Sequence, residues 1–175
     1  MYFKESNNFL TKENISFIKE TILGDNFPYY RSSESTPGDK ISFLYHCLLK
    51  RPEERQKKED INSNYYLNCL ELVKSFFKKT KIKHKEILRM SVNFTFNNGA
   101  ETCPIHQDHE YPHKQLIIYL NDVDLLSKTI ILDNKNKIWK KITPEKHKGI
   151  CFDNLNHYHF YPKSGERIIL VTTFR

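Results

Sequence analysis

The period of the side-chain pattern changes once along this chain, near Leu88, and that change restricts the fold more than any other feature. Before it, apolar residues recur at helical spacing: Ile15, Ile18 and Ile22 with Phe17 beside them, then Tyr66, Leu70, Val73 and Phe77 with Leu67. Thr11 and Ser63 stand where N-caps belong, so helices are expected over about 11–23 and 63–79. From Leu88 the period is two. Arg89, Ser91, Asn93 and Thr95 fall on one face of a strand, and Met90, Val92, Phe94 and Phe96 on the other. The apolar face is expected to pack on the helices and the polar face to line a pocket. Further short strands are expected over 115–120, 129–132, 138–142, 149–152, 157–160 and 167–174. Asn97-Asn98-Gly99 and Asp133-Asn134-Lys135-Asn136 read as turns. Helices followed by six or more short strands predict an α+β chain: a double-stranded β-helix of jelly-roll, cupin-like type with N-terminal helices packed against it.

The remaining segments punctuate this pattern. Residues 24–43, with Gly24, Pro28, Ser32, Ser33, Ser35, Pro37 and Gly38, read as loop. Arg51 to Asp60 reads as an exposed charged stretch. The 175 residues suit one domain, with 1–85 as helical and loop support and 86–175 as the β-rich core.

Composition excludes several function classes. With 38% hydrophobic and 13% aromatic residues the chain can build a packed core, so disorder is not expected. It has no apolar run of transmembrane length, and Met1-Tyr-Phe-Lys-Glu-Ser-Asn-Asn lacks the regions of a signal peptide. Cysteines at 47, 69, 103 and 151 are too sparse for a disulfide framework and show no CxxC spacing. A reducing cytoplasm is the expected compartment. The net charge of +7 permits an acidic partner, but the lysines are spread along the chain. The densest run, Lys78 to Lys85, falls between a helix and a strand and reads as a solvated connector, so nucleic acid is not the favoured partner.

The chemistry is concentrated in His106-Gln107-Asp108 and, far downstream, in His157, His159 and Arg167. Two imidazoles and a carboxylate offer two neutral nitrogens and one hard anionic oxygen, a set that holds one face of Fe(II) and leaves positions open. The one-residue gap between His106 and Asp108 suits a strand end or loop. Residues i and i+2 of a strand point the same way, so His157 and His159 compete for the distal ligand position. Arg167 opens an apolar strand, and a buried guanidinium there is suited to clamp a carboxylate bidentately. His109 and His113 are expected on an exposed rim, and Cys103 as a small buried residue.

These residues resemble those of the 2-oxoglutarate-dependent non-haem iron oxygenases, and most closely the small prolyl-hydroxylase-like branch found also in bacteriophages. The likeness is carried by Cys151-Phe152-Asp153-Asn154-Leu155-Asn156-His157, then Pro162, then Arg167 to Phe174. Arg89-Met-Ser-Val-Asn93 and Ile118-Tyr119-Leu120-Asn121 add to it, and Phe27-Pro28-Tyr29-Tyr30 with Phe43 and His46 do so more loosely. It covers about 85–175 well. The family often places glycines before the Thr that opens the next strand, where this chain has Asp122 to Lys128. The resemblance implies Fe(II) on His106, Asp108 and His157, the last chosen by its spacing to Pro162 and Arg167. It further implies 2-oxoglutarate anchored by Arg167, with Tyr119 donating to the same carboxylate and Asn93 and Arg89 as pocket residues, O₂ as oxidant, and C–H hydroxylation yielding succinate and CO₂. A peptidyl side chain is the expected substrate, with the 27–43 loop as a lid; a free small molecule or a nucleobase is the other possibility. Two other classes fit parts of the sequence. A cupin-like metal protein without 2-oxoglutarate leaves Arg167 without a task, and a basic nucleic-acid-binding protein leaves the triad unexplained.

Overall fold

The computed structural model describes residues 1–35, 38–58 and 60–175, so Pro37 of the expected loop and Glu59 of the charged stretch fall outside it. Ten strands form two sheets: β1 (Phe3–Ser6), β2 (Tyr30–Ser32), β3 (Phe43–Leu49), β4 (Ile87–Phe96), β5 (Lys114–Tyr119), β6 (Thr129–Leu132), β7 (Ile138–Ile142), β8 (Gly149–Asp153), β9 (His157–His159) and β10 (Glu166–Phe174). The larger sheet runs β1-β8-β5-β10-β4-β3-β2 and the smaller one β7-β6-β9, with antiparallel pairing throughout. The result is a jelly-roll β-sandwich with helices on one outer face.

Strand alternation accounts for the layers. On β10, Ile168, Leu170 and Phe174 join the core shared with the helices, while Ile169 and Val171 face the smaller sheet. On β5, Leu116 and Ile118 point outward to the helices and Ile117 and Tyr119 inward. The inner cluster also holds Ile131 of β6, Ile142 of β7 and Phe152 of β8, which sews the sheets together. A shift of one residue in any of these strands would put polar side chains into both cores, so the register is strongly specified.

Helix α1 (Lys12–Phe17) begins at Thr11, whose hydroxyl accepts from Asn14 N at 3.2 Å while Asn14 Oδ1 accepts from Thr11 N at 3.3 Å. It continues as a wider π-type turn over Ile18–Ile22. Ile18 and Ile22 are buried as expected, but Ile15 is exposed. Helix α2 (Tyr66–Thr80) buries Cys69, Leu72, Val73, Phe76 and Phe77, whereas Leu67 is exposed, so the buried stripe is rotated toward the Cys69–Phe76 side. Ser63 lies two residues before the cap position and accepts from Tyr65 N at 3.1 Å. Gly149 of β8 leaves room for α2: a Cβ there would lie 2.5 Å from the Phe76 ring.

The N-terminal segment departs from a purely helical and loop support. It supplies β1, β2 and β3, the two ends of the large sheet. These strands satisfy edge hydrogen-bonding groups of β8 and β4 that the β-rich half leaves open.

Candidate active site

Backbone pairing brings the distant motifs together. His106 N donates to His157 O at 3.1 Å and His157 N to His106 O at 3.0 Å, an isolated antiparallel bridge on the free edge of β9. The same extended segment continues through Cys103, whose N–H donates to His159 O at 3.0 Å. The His106 and His157 rings consequently lie side by side, 4.5 Å between centroids, and the Asp108 carboxylate turns in beside them from the following bend. One ligand atom each from His106, Asp108 and His157 lie within 4.8 Å of one another.

The donor set is prepared for a cation. Nδ1 of His106 donates to Pro104 O at 2.8 Å and Nδ1 of His157 to Leu155 O at 3.0 Å, which fixes the tautomers and leaves an acceptor lone pair on each Nε2. Burial pushes the His157 imidazole down to about 4, helped by its neighbour His106, so it is neutral at physiological pH. Burial raises the Asp108 carboxyl, but Arg89, His157, His106 and Arg51 outweigh it and hold the group well below the ordinary carboxylate range. Asp108 is thus a carboxylate whose Oδ1 is taken by Arg89 at 2.5 Å. Its Oδ2 is buried and without a hydrogen-bond partner among the described residues. An orphaned buried oxygen facing two imidazole lone pairs is the arrangement a metal ion satisfies. Gln115 Nε2 lies 3.2 Å from His157 Nε2 and would have to turn away to admit one.

These groups line a cavity of about 940 Å³ between the sheets, and Arg167 lines it too. Arg167 is 1% exposed. Its Nη2 donates to Thr129 Oγ1 at 3.1 Å, while Nε and Nη1 are buried with no partner among the described residues. A buried guanidinium with two idle donors is costly unless an anion meets them. The donor set could hold a divalent metal ion, and the guanidinium fork suits a carboxylate.

The other expected pocket residues are distributed differently. Asn93 and Thr95 line the cavity, and Asn93 Oδ1 accepts from Ser91 Oγ at 2.8 Å. Arg89 lines it too, but its guanidinium is committed to Asp108. Tyr119 is fully buried behind Thr129, with 2.7 Å between the two hydroxyl oxygens and the Arg167 guanidinium 5.5 Å from its ring. The Thr129 hydroxyl oxygen is thus shared by the Tyr119 phenol and Arg167 Nη2, and Thr129 rather than Tyr119 is on the cavity lining. The loop before Thr129 needs no glycine: Asp124 Oδ1 accepts from Leu126 N at 2.9 Å, and its Oδ2 accepts from Lys163 N at 2.9 Å.

Three expectations about exposure are corrected. Arg51 is not part of a solvated stretch; it donates to the Asp108 carbonyl and lines the cavity. His109 is buried, with Nε2 2.8 Å from Thr173 Oγ1, because the bend that turns Asp108 inward carries its neighbour into the sheet. His113 is buried against the His109 ring at 4.9 Å. Arg51 had no local signal, being 57 positions from the oxygen it binds. Gln115 was legible from period two, since it shares a face with Ile117 and Tyr119.

Together the sandwich, its helices and this cavity have the double-stranded β-helix fold of the 2OG-Fe(II) oxygenases. No family model and no curated protein matches the sequence; the likeness is structural. An oxidoreductase of the 2OG-Fe(II) oxygenase family from Burkholderia pseudomallei superposes with a TM-score of 0.77 at 12% identity, over 98% of this chain and 84% of that one. A prolyl hydroxylase from Trichoplax adhaerens, solved with a hypoxia-inducible-factor peptide fragment, gives 0.66 at 15% identity, over 98% and 83%. A prolyl-4-hydroxylase from Pseudomonas putida gives 0.61 at 11% identity, over 99% and 92%.

Proposed function

We propose that this protein is an Fe(II)- and 2-oxoglutarate-dependent dioxygenase that hydroxylates a C–H bond. The overall reaction is R–H + 2-oxoglutarate + O₂ → R–OH + succinate + CO₂. One observation carries the reading: Arg167 presents two unpartnered buried donors inside the same cavity as the His106, Asp108 and His157 donor set. A metal protein working on water alone has no use for a buried cation opposite the metal. A keto acid dianion has use for both, one for its distal carboxylate and one for its chelating end.

The division of labour among residues follows from their chemistry. His106, Asp108 and His157 would hold the iron, which when bound with the keto acid supplies the oxidising power for C–H cleavage. Arg89 and Arg51 keep Asp108 ionised and fix the carboxylate that the bend presents. Arg167, steadied by Thr129, orients the co-substrate, and the apolar side chains Ile117, Ile169 and Val171 exclude water from it.

A peptidyl side chain is our preferred substrate. The support is the likeness to prolyl hydroxylases, one of them solved with a peptide, and the position of Ser32, Glu34, Ser35 and Phe43 at the cavity wall. Those residues belong to the 27–43 segment, which would act as the lid.

The test is anaerobic addition of Fe(II) and then 2-oxoglutarate. A weak visible charge-transfer band that needs both components, followed by succinate release on admitting O₂, is expected. A protein that binds Fe(II) without any 2-oxoglutarate-dependent band would instead be a cupin-like metal protein. Succinate formation stimulated only by nucleic acid, in a salt-sensitive way, would replace the peptide with a nucleobase substrate.

A further inference from the structure

His159 has the same inward direction as His157 on β9 but is not one of the three clustered donors. It lines the cavity, and its Nε2 is screened from solvent with no hydrogen-bond partner among the described residues. On the smaller sheet it sits directly opposite Thr129, the residue whose hydroxyl accepts from Arg167. Residues opposite each other in an antiparallel pair project to the same side. His159 and Arg167 therefore share one end of the cavity, each with idle nitrogens.

The other ring nitrogen faces a sulfur. His159 Nδ1 lies 3.0 Å from Cys103 Sγ, and the His159 backbone N–H donates to the same sulfur at 3.2 Å. Burial pushes the Cys103 thiol up to about 11, so the sulfur keeps its proton. A protonated thiol can accept the backbone N–H through a lone pair and at the same time donate its S–H to Nδ1. An imidazole that accepts at Nδ1 carries its proton on Nε2.

We propose that Cys103 locks His159 in the Nε2–H tautomer, so that His159 adds a donor beside Arg167 for the distal carboxylate of the keto acid and selects for a dicarboxylic co-substrate. This rests on the reading of the cavity as a 2-oxoglutarate site. An Arg fork alone would accept any anion of the right size. A neutral N–H at a fixed angle adds direction without placing a second full charge in the same cavity.

The experiment is anaerobic calorimetry on the Fe(II)-loaded protein with 2-oxoglutarate and with 2-oxobutyrate, which lacks the distal carboxylate. His159→Leu is expected to weaken 2-oxoglutarate roughly ten- to a hundredfold while leaving 2-oxobutyrate and Fe(II) affinity unchanged. His159→Gln, whose amide N–H reaches the Nε2 position, should recover most of the loss. Cys103→Ala should weaken 2-oxoglutarate several-fold by freeing the tautomer, and Cys103→Ser, which keeps a hydroxyl donor, should not. Long-range proton–nitrogen correlation spectra of the wild type should place the His159 proton on Nε2, a readout independent of whether His159→Leu folds. A proton on Nδ1 overturns the proposal. So does unchanged 2-oxoglutarate affinity in His159→Leu, or loss of Fe(II) from that variant. Wild-type protein that binds no 2-oxoglutarate refutes the functional reading itself, whereas binding by wild type and His159→Leu alike refutes only the role given to His159.

Discussion

Arg89 Nη1 lies 2.5 Å from Asp108 Oδ1, joining the start of β4 to the bend that follows His106. The pair fixes which carboxylate oxygen remains for a metal, and a partner of that kind typically changes metal affinity by about 10- to 100-fold. Removing the guanidinium also relieves repulsion of the incoming cation, but Arg51 remains 3.8 Å from the same oxygen, so that relief is partial. Arg89→Ala is therefore expected to weaken Fe(II) or Mn(II) binding by about tenfold. Arg89→Gln, an uncharged donor, should retain more of it. Metal titrations with unchanged affinity in Arg89→Ala would remove Arg89 from the site.

On the proposed reading His106→Ala and His157→Ala should each remove most of the metal affinity, because among the described residues the cluster of candidate donors holds His106, Asp108 and His157 and no fourth. His159→Ala should largely spare it, since His159 is not among the three clustered donors and its Nδ1 is engaged with Cys103 Sγ. Equilibrium dialysis of the three variants decides the matter. Loss of metal from His159→Ala alone would transfer the distal ligand from His157 to His159.

Arg167→Ala should weaken 2-oxoglutarate binding by roughly ten- to a hundredfold, the scale of a buried charge-assisted hydrogen-bond pair of about 1.5–3 kcal/mol. Metal affinity should barely change, because Arg167 touches Thr129 rather than the ligand trio. Arg167→Lys should recover only part of the loss, since an ammonium cannot form the two-pronged contact. Equal affinities for 2-oxoglutarate in wild type and Arg167→Ala would sink the clamp.

Gly149→Ala should destabilise the fold by about 1–3 kcal/mol, the usual cost of overpacking a filled core. The added methyl would fall 2.5 Å from a Phe76 ring that is itself fully buried and packed edge-to-face on Phe9. Urea unfolding reads the effect, and Gly149→Ala combined with Phe76→Leu should be less than additive. Full additivity would mean that the helix and β8 do not share this contact.

The strands of the second half were legible because β4 alternates apolar and polar residues, while β6, β8 and β10 are short apolar runs buried on both faces. The expected 129–132 and 138–142 coincide with β6 and β7, and Asp133 accepts from Lys135 N and Lys137 N in the turn between them. The strands of the first half were not legible. β1 and β2 are three or four residues long and only partly buried, and so short a segment carries no period. Helical spacing placed α2, but it chose Leu67 for the core because local periodicity cannot say which side of a helix the sheet will cover.

By itself the sequence determined which functional groups are available: His106, Asp108, the competing His157 and His159, and Arg167, with His157 singled out from His159 only by the family resemblance. Tertiary structure decided how those groups are supported and what faces them. Arg51 reaches Asp108 across 57 positions, Thr129 stands between Tyr119 and Arg167, and Cys103 meets His159 across 56 positions. Such contacts arise where strand register and two facing sheets close a cavity. Neither is a property of any local window, because the energy that sets them comes from burying both faces of the large sheet at once.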